Sequence, residues 1–181
     1  MSKNAVIVID LQRDYYPGGA FPLSGIELAT QRTAEVLQSA RRNNSPIWHV
    51  RHIELDPAAT FFKADSPGID IHDNVKPLQR ETLITKHFPN CFRDTPLEQQ
   101  LRDNGITTLV FCGAMSNMCI DASVRAAFDL GFECIVIHDA CAASDMEFNG
   151  TALDAQQVHT AFMGALASAY AQVTDSASFI S

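Results

Sequence analysis

Three side chains able to do nucleophilic chemistry stand where apolar runs of the sequence stop. Asp10 closes the run Ala5 to Ile9, Lys86 closes Thr82 to Thr85, and Cys119 follows Gly113-Ala-Met-Ser116-Asn-Met after the run Thr107 to Cys112. A thiol needs a base to take its proton, a cation to hold the resulting charge, and an acid to protonate a leaving nitrogen. Asp10 as proton shuttle, Lys86 as the cation and Cys119 as nucleophile would supply all three. Each also has an ordinary structural use: Asp10 as a turn cap, Lys86 as a solvent-seeking chain, Cys119 as a small packed residue. The segment before Cys119 reads as strand, tight turn at Gly113, Ser116 as N-cap, then a helix starting near Cys119. A helix start favours thiolate over thiol and offers backbone amides to an oxyanion.

These residues need elements that bring them together. Five short apolar runs, Ala5 to Ile9, Ile47 to Val50, Thr82 to Thr85, Thr107 to Cys112 and Cys134 to Ile137, predict strands buried on both faces, with a weaker sixth at Ala171 to Thr174. Helical period recurs between them. Ile26 to Ala40 is opened by a capping box at Ser24-Gly-Ile-Glu27, Leu97 to Asn104 is stopped by Gly105, Ile120 to Leu130 by Gly131, and Thr151 to Tyr170 is Ala-rich. Strand and helix alternation predicts the α/β class, with right-handed crossovers and a parallel sheet. In such sheets ligands bind beyond the carboxyl ends of the strands, where the strand order reverses. The irregular stretch His52 to Arg80 carries several Pro turn signals and predicts a site or interface loop.

Composition excludes other classes. A chain of 181 residues, 46% hydrophobic and 19% charged, predicts one domain over residues 1–181 with its own core. A net charge of −8 advertises no face for nucleic acid or anionic lipid, so neither partner is expected. No apolar run approaches the roughly 20 residues of a membrane helix, and the N-terminus lacks a secretory pattern, which predicts a cytoplasmic protein. Five cysteines, Cys91, Cys112, Cys119, Cys134 and Cys141, form an odd count without C-x-x-C spacing and fit a reducing compartment.

The conjunction of motifs resembles the cysteine hydrolases of the isochorismatase-like superfamily, which includes nicotinamidases, N-carbamoylsarcosine amidases and biuret hydrolases. Asp10-Leu-Gln12-Arg-Asp14-Tyr15 is similar to its D-x-Q-x-D-F motif, with Tyr for Phe. Ile84-Thr-Lys86 with Phe92-Arg-Asp-Thr95-Pro-Leu97 is similar to its lysine strand, and Gly113 to Gly131 to its nucleophile motif. The resemblance implies a Rossmann-like α/β/α sandwich with six parallel strands in the order 3-2-1-4-5-6, which sets Asp10 opposite Cys119. It implies a cis peptide between Ala114 and Met115, an oxyanion hole made by the amides of Met115 and Cys119, and acyl transfer through a thioester. Its substrate is a small molecule with an amide, ureido or carbamoyl C–N bond.

Gln12, Tyr15, Arg51, His52 and Phe92 are the substrate contacts expected on this reading, with Phe61 and Phe62 as a lid. For Tyr15 and Phe92 the alternative is core packing. The metal-binding members follow their second strand with D-x-H; here Trp48-His49-Val-Arg51-His52-Ile-Glu54 has no aspartate at that place. His49 and His52 on one extended segment would face opposite ways. No metal and no cofactor is expected. Two alternatives stand beside the amidohydrolase: a vinyl-ether hydrolase of the isochorismatase type, and a non-catalytic binding domain on the same fold. A homo-oligomer, dimer or tetramer, is expected from the resemblance, with the Thr151 to Tyr170 helix as a candidate face.

Overall fold

The computed structural model describes residues 3–181. Six strands, β1 (Asn4–Ile9), β2 (Ile47–His52), β3 (Thr82–Lys86), β4 (Thr108–Ala114), β5 (Glu133–Ala142) and β8 (Gln172–Thr174), form one sheet in the order β3-β2-β1-β4-β5-β8. Every pairing in it is parallel. The order differs from the expected 3-2-1-4-5-6 only in the number of the last strand. A separate antiparallel hairpin, β6 (Met146–Phe148) and β7 (Thr151–Leu153), precedes it in the chain. The turn of that hairpin is Asn149-Gly150, both residues at positive φ (51° and 76°), the left-handed pair that joins two strands tightly.

Alternation of side chains divides the core in two. Ala5, Ile7 and Ile9 of β1 pack with α2 (Leu97–Asp103), α3 (Asp121–Asp129) and α4 (Ala155–Ala169), through Leu97, Leu101, Val124, Met163 and Leu166. Val6 and Val8 pack on the other face with α1 (Ile26–Arg42), through Ile26, Val36 and Leu37, and with α5 (Ser176–Ile180). The result is a three-layer α/β/α sandwich. Each Val, Leu or Ile buried in this way contributes about 1.5–3 kcal/mol against conformational entropy.

The helix boundaries depart from the sequence reading at three places. The α1 cap is Gly25 at φ 74°, with no side-chain cap bond, so Ser24 and Glu27 form no capping box. The segment from Thr151 is not continuous helix: β7 occupies its start, and Asp154 then caps α4 in a capping box with Gln157. Ser116 does not cap the turn before Cys119. Met115 holds the cap position of a π-helical turn over Ser116–Ile120, and Ser116 Oγ lies 2.8 Å from His159 Nδ1. The long loop after β2 contains two 3-10 turns, Pro67–Ile69 and Asp73–Val75, and is pinned by the bridges Gln12–Ile71 and Glu54–Lys63.

Candidate active site

The strand order reverses between β1 and β4, and β1 lies directly against both β2 and β4. Asp10, immediately after β1, turns the chain at φ 52°, a left-handed conformation that Asp and Asn tolerate better than most residues. Gly113 near the end of β4 has φ 128°, and a Cβ there would collide with the Ile9 carbonyl oxygen. The close approach of these backbones delivers Asp10 and the Cys119 turn to one point. The peptide bond Ala114–Met115 is cis.

At that point three side chains surround one nitrogen. Lys86 Nζ is 2.7 Å from Asp10 Oδ2 as an ion pair, donates to Cys119 Sγ at 3.2 Å, and lies 2.9 Å from His52 Nδ1. The side chains of Asp10 and Lys86 have no solvent exposure, and Cys119 is 6% exposed. A buried ion pair is a poor source of stability, because desolvation consumes most of the attraction. Its presence at a strand-order reversal beside a thiol marks a candidate functional site. Asp10 Oδ2 faces the Lys86 ammonium, and Oδ1 has no hydrogen-bond partner among the described residues. A carboxylate in that condition retains lone pairs for a proton brought by another molecule.

Burial alone would depress Lys86, but Asp10 and then Cys119 outweigh it and keep the ammonium above its ordinary value. Burial, followed by the Asp10 charge, pushes the Cys119 thiol up, and Lys86 only partly offsets this. The expectation that a helix start holds Cys119 as a thiolate is therefore corrected. At rest the sulfur keeps its proton, because a second anion beside Asp10 in a desolvated site costs more than one ammonium and one turn of amides return. Burial and then Lys86 lower His52, which is neutral.

Asp10, His52 and Cys119 also present donor atoms that lie within 4.8 Å of one another, a spacing that a metal ion could use. The Lys86 ammonium sits among all three. The residues therefore do not fit a metal at this point. His49 cannot join them: it lies on the other face of β2, where its Nε2 is 2.9 Å from Glu81 Oε2.

The expected substrate contacts separate. Tyr15 is buried with Cys119 and Asp10 among the ionisable groups around it, so it borders the site. Its ring packs against Phe62 at 4.7 Å and Phe61 at 6.1 Å, with Phe21 stacked on Phe61 at 4.9 Å. Asp14 fixes this aromatic cover, accepting from Phe62 N at 2.6 Å and from Ala20 N at 3.2 Å.

The other four make contacts within the protein. Gln12 is fully buried and spends its amide on backbone, donating to the carbonyls of His52 and Ile69 and accepting from His52 N–H. Arg51 donates to Thr85 Oγ1 on the sheet face opposite His52 and Lys86, as strand alternation requires. Phe92 is half-buried against the core cluster that also contains Cys119, and stacks on Phe132 at 6.2 Å. His52 is turned to Lys86.

Sequence reasoning missed Phe21, Glu54, which lies 3.5 Å from His52 Nε2, and the hairpin, whose Asn-Gly turn was the available signal. It also missed the clasp between Asn117 in the turn after β4 and Ser144 at the base of the hairpin.

The geometry can be set beside known proteins. The isochorismatase domain model matches residues 4–178. The isochorismatase family protein YddQ of Bacillus subtilis is 43% identical over 97% of this chain and 98% of its own length. A solved structure from Oleispira antarctica, named as an isochorismatase hydrolase, is 47% identical, with a TM-score of 0.94 over 99% of this chain and 96% of its own. A cysteine hydrolase from Pseudomonas syringae pv. phaseolicola is 25% identical, with a TM-score of 0.92 over 98% of this chain and 91% of its own.

Proposed function

The chain belongs to the isochorismatase family of hydrolases, and from that premise we propose that it hydrolyses a C–N bond of a small amide, ureido or carbamoyl substrate through a thioester on Cys119. The observation that carries the proposal is the buried Lys86 ammonium held within 3.2 Å of both Cys119 Sγ and Asp10 Oδ2. The same three residues serve no evident packing purpose that apolar side chains would not serve better.

In the proposed reaction Asp10 takes the thiol proton as Sγ attacks the carbonyl carbon. The Met115 and Cys119 amides receive the oxyanion. Collapse breaks the C–N bond, and Asp10 gives its proton to the leaving nitrogen. Water then attacks the thioester while Asp10 takes its proton; the acid departs and the proton returns to sulfur. Lys86 remains an ammonium throughout and offsets the charge that alternates between Asp10 and Cys119. Tyr15, Phe61 and Phe62 form the wall against which a small planar substrate lies.

The same proposal takes residues 1–181 as one domain and the partner as a small molecule, with no cofactor. It places the protein in the cytoplasm, a reading supported by five free thiols. None of the described helices is long and apolar enough to cross a membrane. A homo-oligomer is also proposed. Phe148 is 83% exposed on a hairpin that joins no larger sheet, Met146 and Leu153 are exposed beside it, and α4 buries only Val158, Met163 and Leu166.

A screen of amides, ureides and carbamoyl compounds for ammonia release tests the reaction. Turnover by the native chain and none by Cys119→Ala is expected. Ammonia release by the alanine variant at the native rate would remove the nucleophile.

A further inference from the structure

An ammonium carries three N–H donors, and a buried one must find a partner for each. Around Lys86 Nζ the three neighbours are Asp10 Oδ2 from the end of β1, Cys119 Sγ from the turn after β4, and His52 Nδ1 at the end of β2. His52 pairs with Lys86 in the parallel register of β2 and β3, so the two side chains leave the sheet on the same face side by side. We propose that His52 is a positioning residue, which aims the Lys86 ammonium at Asp10 and Cys119 by accepting the remaining N–H through Nδ1.

The tautomer follows from the contact. An ammonium can only donate, so Nδ1 must offer its lone pair and the ring proton must sit on Nε2. Glu54 Oε2 is 3.5 Å from Nε2 and favours a proton there. The backbone of His52 is held independently: Gln12 accepts its N–H at 2.6 Å and donates to its carbonyl at 2.8 Å. The ring also lies against Phe62, with centroids 5.8 Å apart. The charged groups facing His52 are therefore Lys86, Asp10 and Glu54. Burial and Lys86 keep the imidazole neutral, as the acceptor role needs. Without that acceptor the ammonium keeps an unsatisfied buried donor, its charge becomes costlier, and the Cys119 thiolate loses part of its counter-charge.

This inference rests on the reading of Cys119 as nucleophile, and two measurements on the full chain keep their failures apart. The first follows alkylation of Cys119 by iodoacetamide, resolved by peptide mass spectrometry from pH 6 to 10, in the native protein, His52→Asn, His52→Leu and His52→Phe. Asn carries an amide oxygen near the Nδ1 position, while Leu and Phe fill the space without an acceptor. We expect His52→Asn to follow the native profile, and the Leu and Phe variants to react about tenfold to a hundredfold more slowly at a given pH, the profile moving to higher pH. Native rates in the Leu or Phe variant, or an Asn variant as slow as they are, would overturn the proposal. The second measurement needs no variant. Nitrogen NMR of the His52 ring at pH 7 should show the neutral Nε2–H form, and an Nδ1–H form would overturn the proposal whatever Cys119 does.

Discussion

A Cβ on residue 113 would land on the carbonyl oxygen of Ile9, the last residue of β1 before Asp10. Gly113 is thus the contact that lets β4 close on β1 where the acid and the thiol are delivered. Gly113→Ala would push the strands apart and also place a side chain at φ 128°. We expect a loss of about 3 kcal/mol or more. That corresponds to a melting temperature lower by about 6–12 °C, read by thermal unfolding. An unchanged melting temperature would mean that the close approach is not needed.

Asp10→Asn keeps a residue suited to the left-handed backbone while removing the charge. Catalysis should fall by about a hundredfold to ten-thousandfold, as for loss of a general acid and base. The Lys86 ammonium would be left buried without its anion, at a cost of about 3–5 kcal/mol. A second change, Lys86→Met, should recover part of that stability and none of the activity. Denaturant melts of both variants check the first point, and ammonia assays the second.

The upward displacement of the Cys119 thiol has a kinetic signature. Thiolate is scarcer at neutral pH than in a free cysteine, and its fraction grows as pH rises. Alkylation of the resting protein should therefore climb with pH, close to tenfold per unit, without a plateau below pH 9. A plateau near pH 7 would show a preformed thiolate and contradict the resting state described above.

Asp14 ties the backbone of Phe62 under Tyr15, and its carboxylate fills the space that a side chain on residue 68 would need. Asp14→Ala should loosen the cover over Cys119 more than the sheet beneath it. Iodoacetamide labelling of Cys119 should rise several-fold, with Cys91 and Cys112 still protected in the core. Equal gains at all three would indicate general unfolding.

Glu81, on the opposite side of β2, accepts from Arg41 Nε at 2.7 Å and Nη2 at 2.9 Å and from Leu78 N at 2.8 Å, with His49 Nε2 2.9 Å away. Burial opposes its ionisation, yet these partners bring its carboxyl down to about 2. Because the folded value lies below the unfolded one, the stabilisation is complete above the unfolded value of about 4.3 and fades as pH falls toward about 2. Glu81→Gln should flatten the stability curve between those values; an acid limb identical to the native one would contradict this.

The sheet was legible because its strands are continuous apolar runs and Gly or polar residues close them. Asp10 and Lys86 were legible for the same reason: a polar residue directly after such a run must sit at the sheet edge, and Cys119 was legible from the Gly113 turn that follows β4. Other residues depend on facts that periodicity does not carry. Gln12 is committed to backbone from two distant segments, and Arg51 and His52 diverge because one residue of strand reverses the face. The cap of α1 went to Gly25, since a left-handed entry left Ser24 no geometry for capping. The hairpin strands are three residues each, too short for alternation to register, although Asn149-Gly150 announces their turn.

Asp10, Lys86 and Cys119 leave the sheet from three different strands and meet only across it. A nascent or partly unfolded chain therefore holds the carboxylate, the ammonium and the thiol apart. Their meeting is a late product of folding and is undone with it.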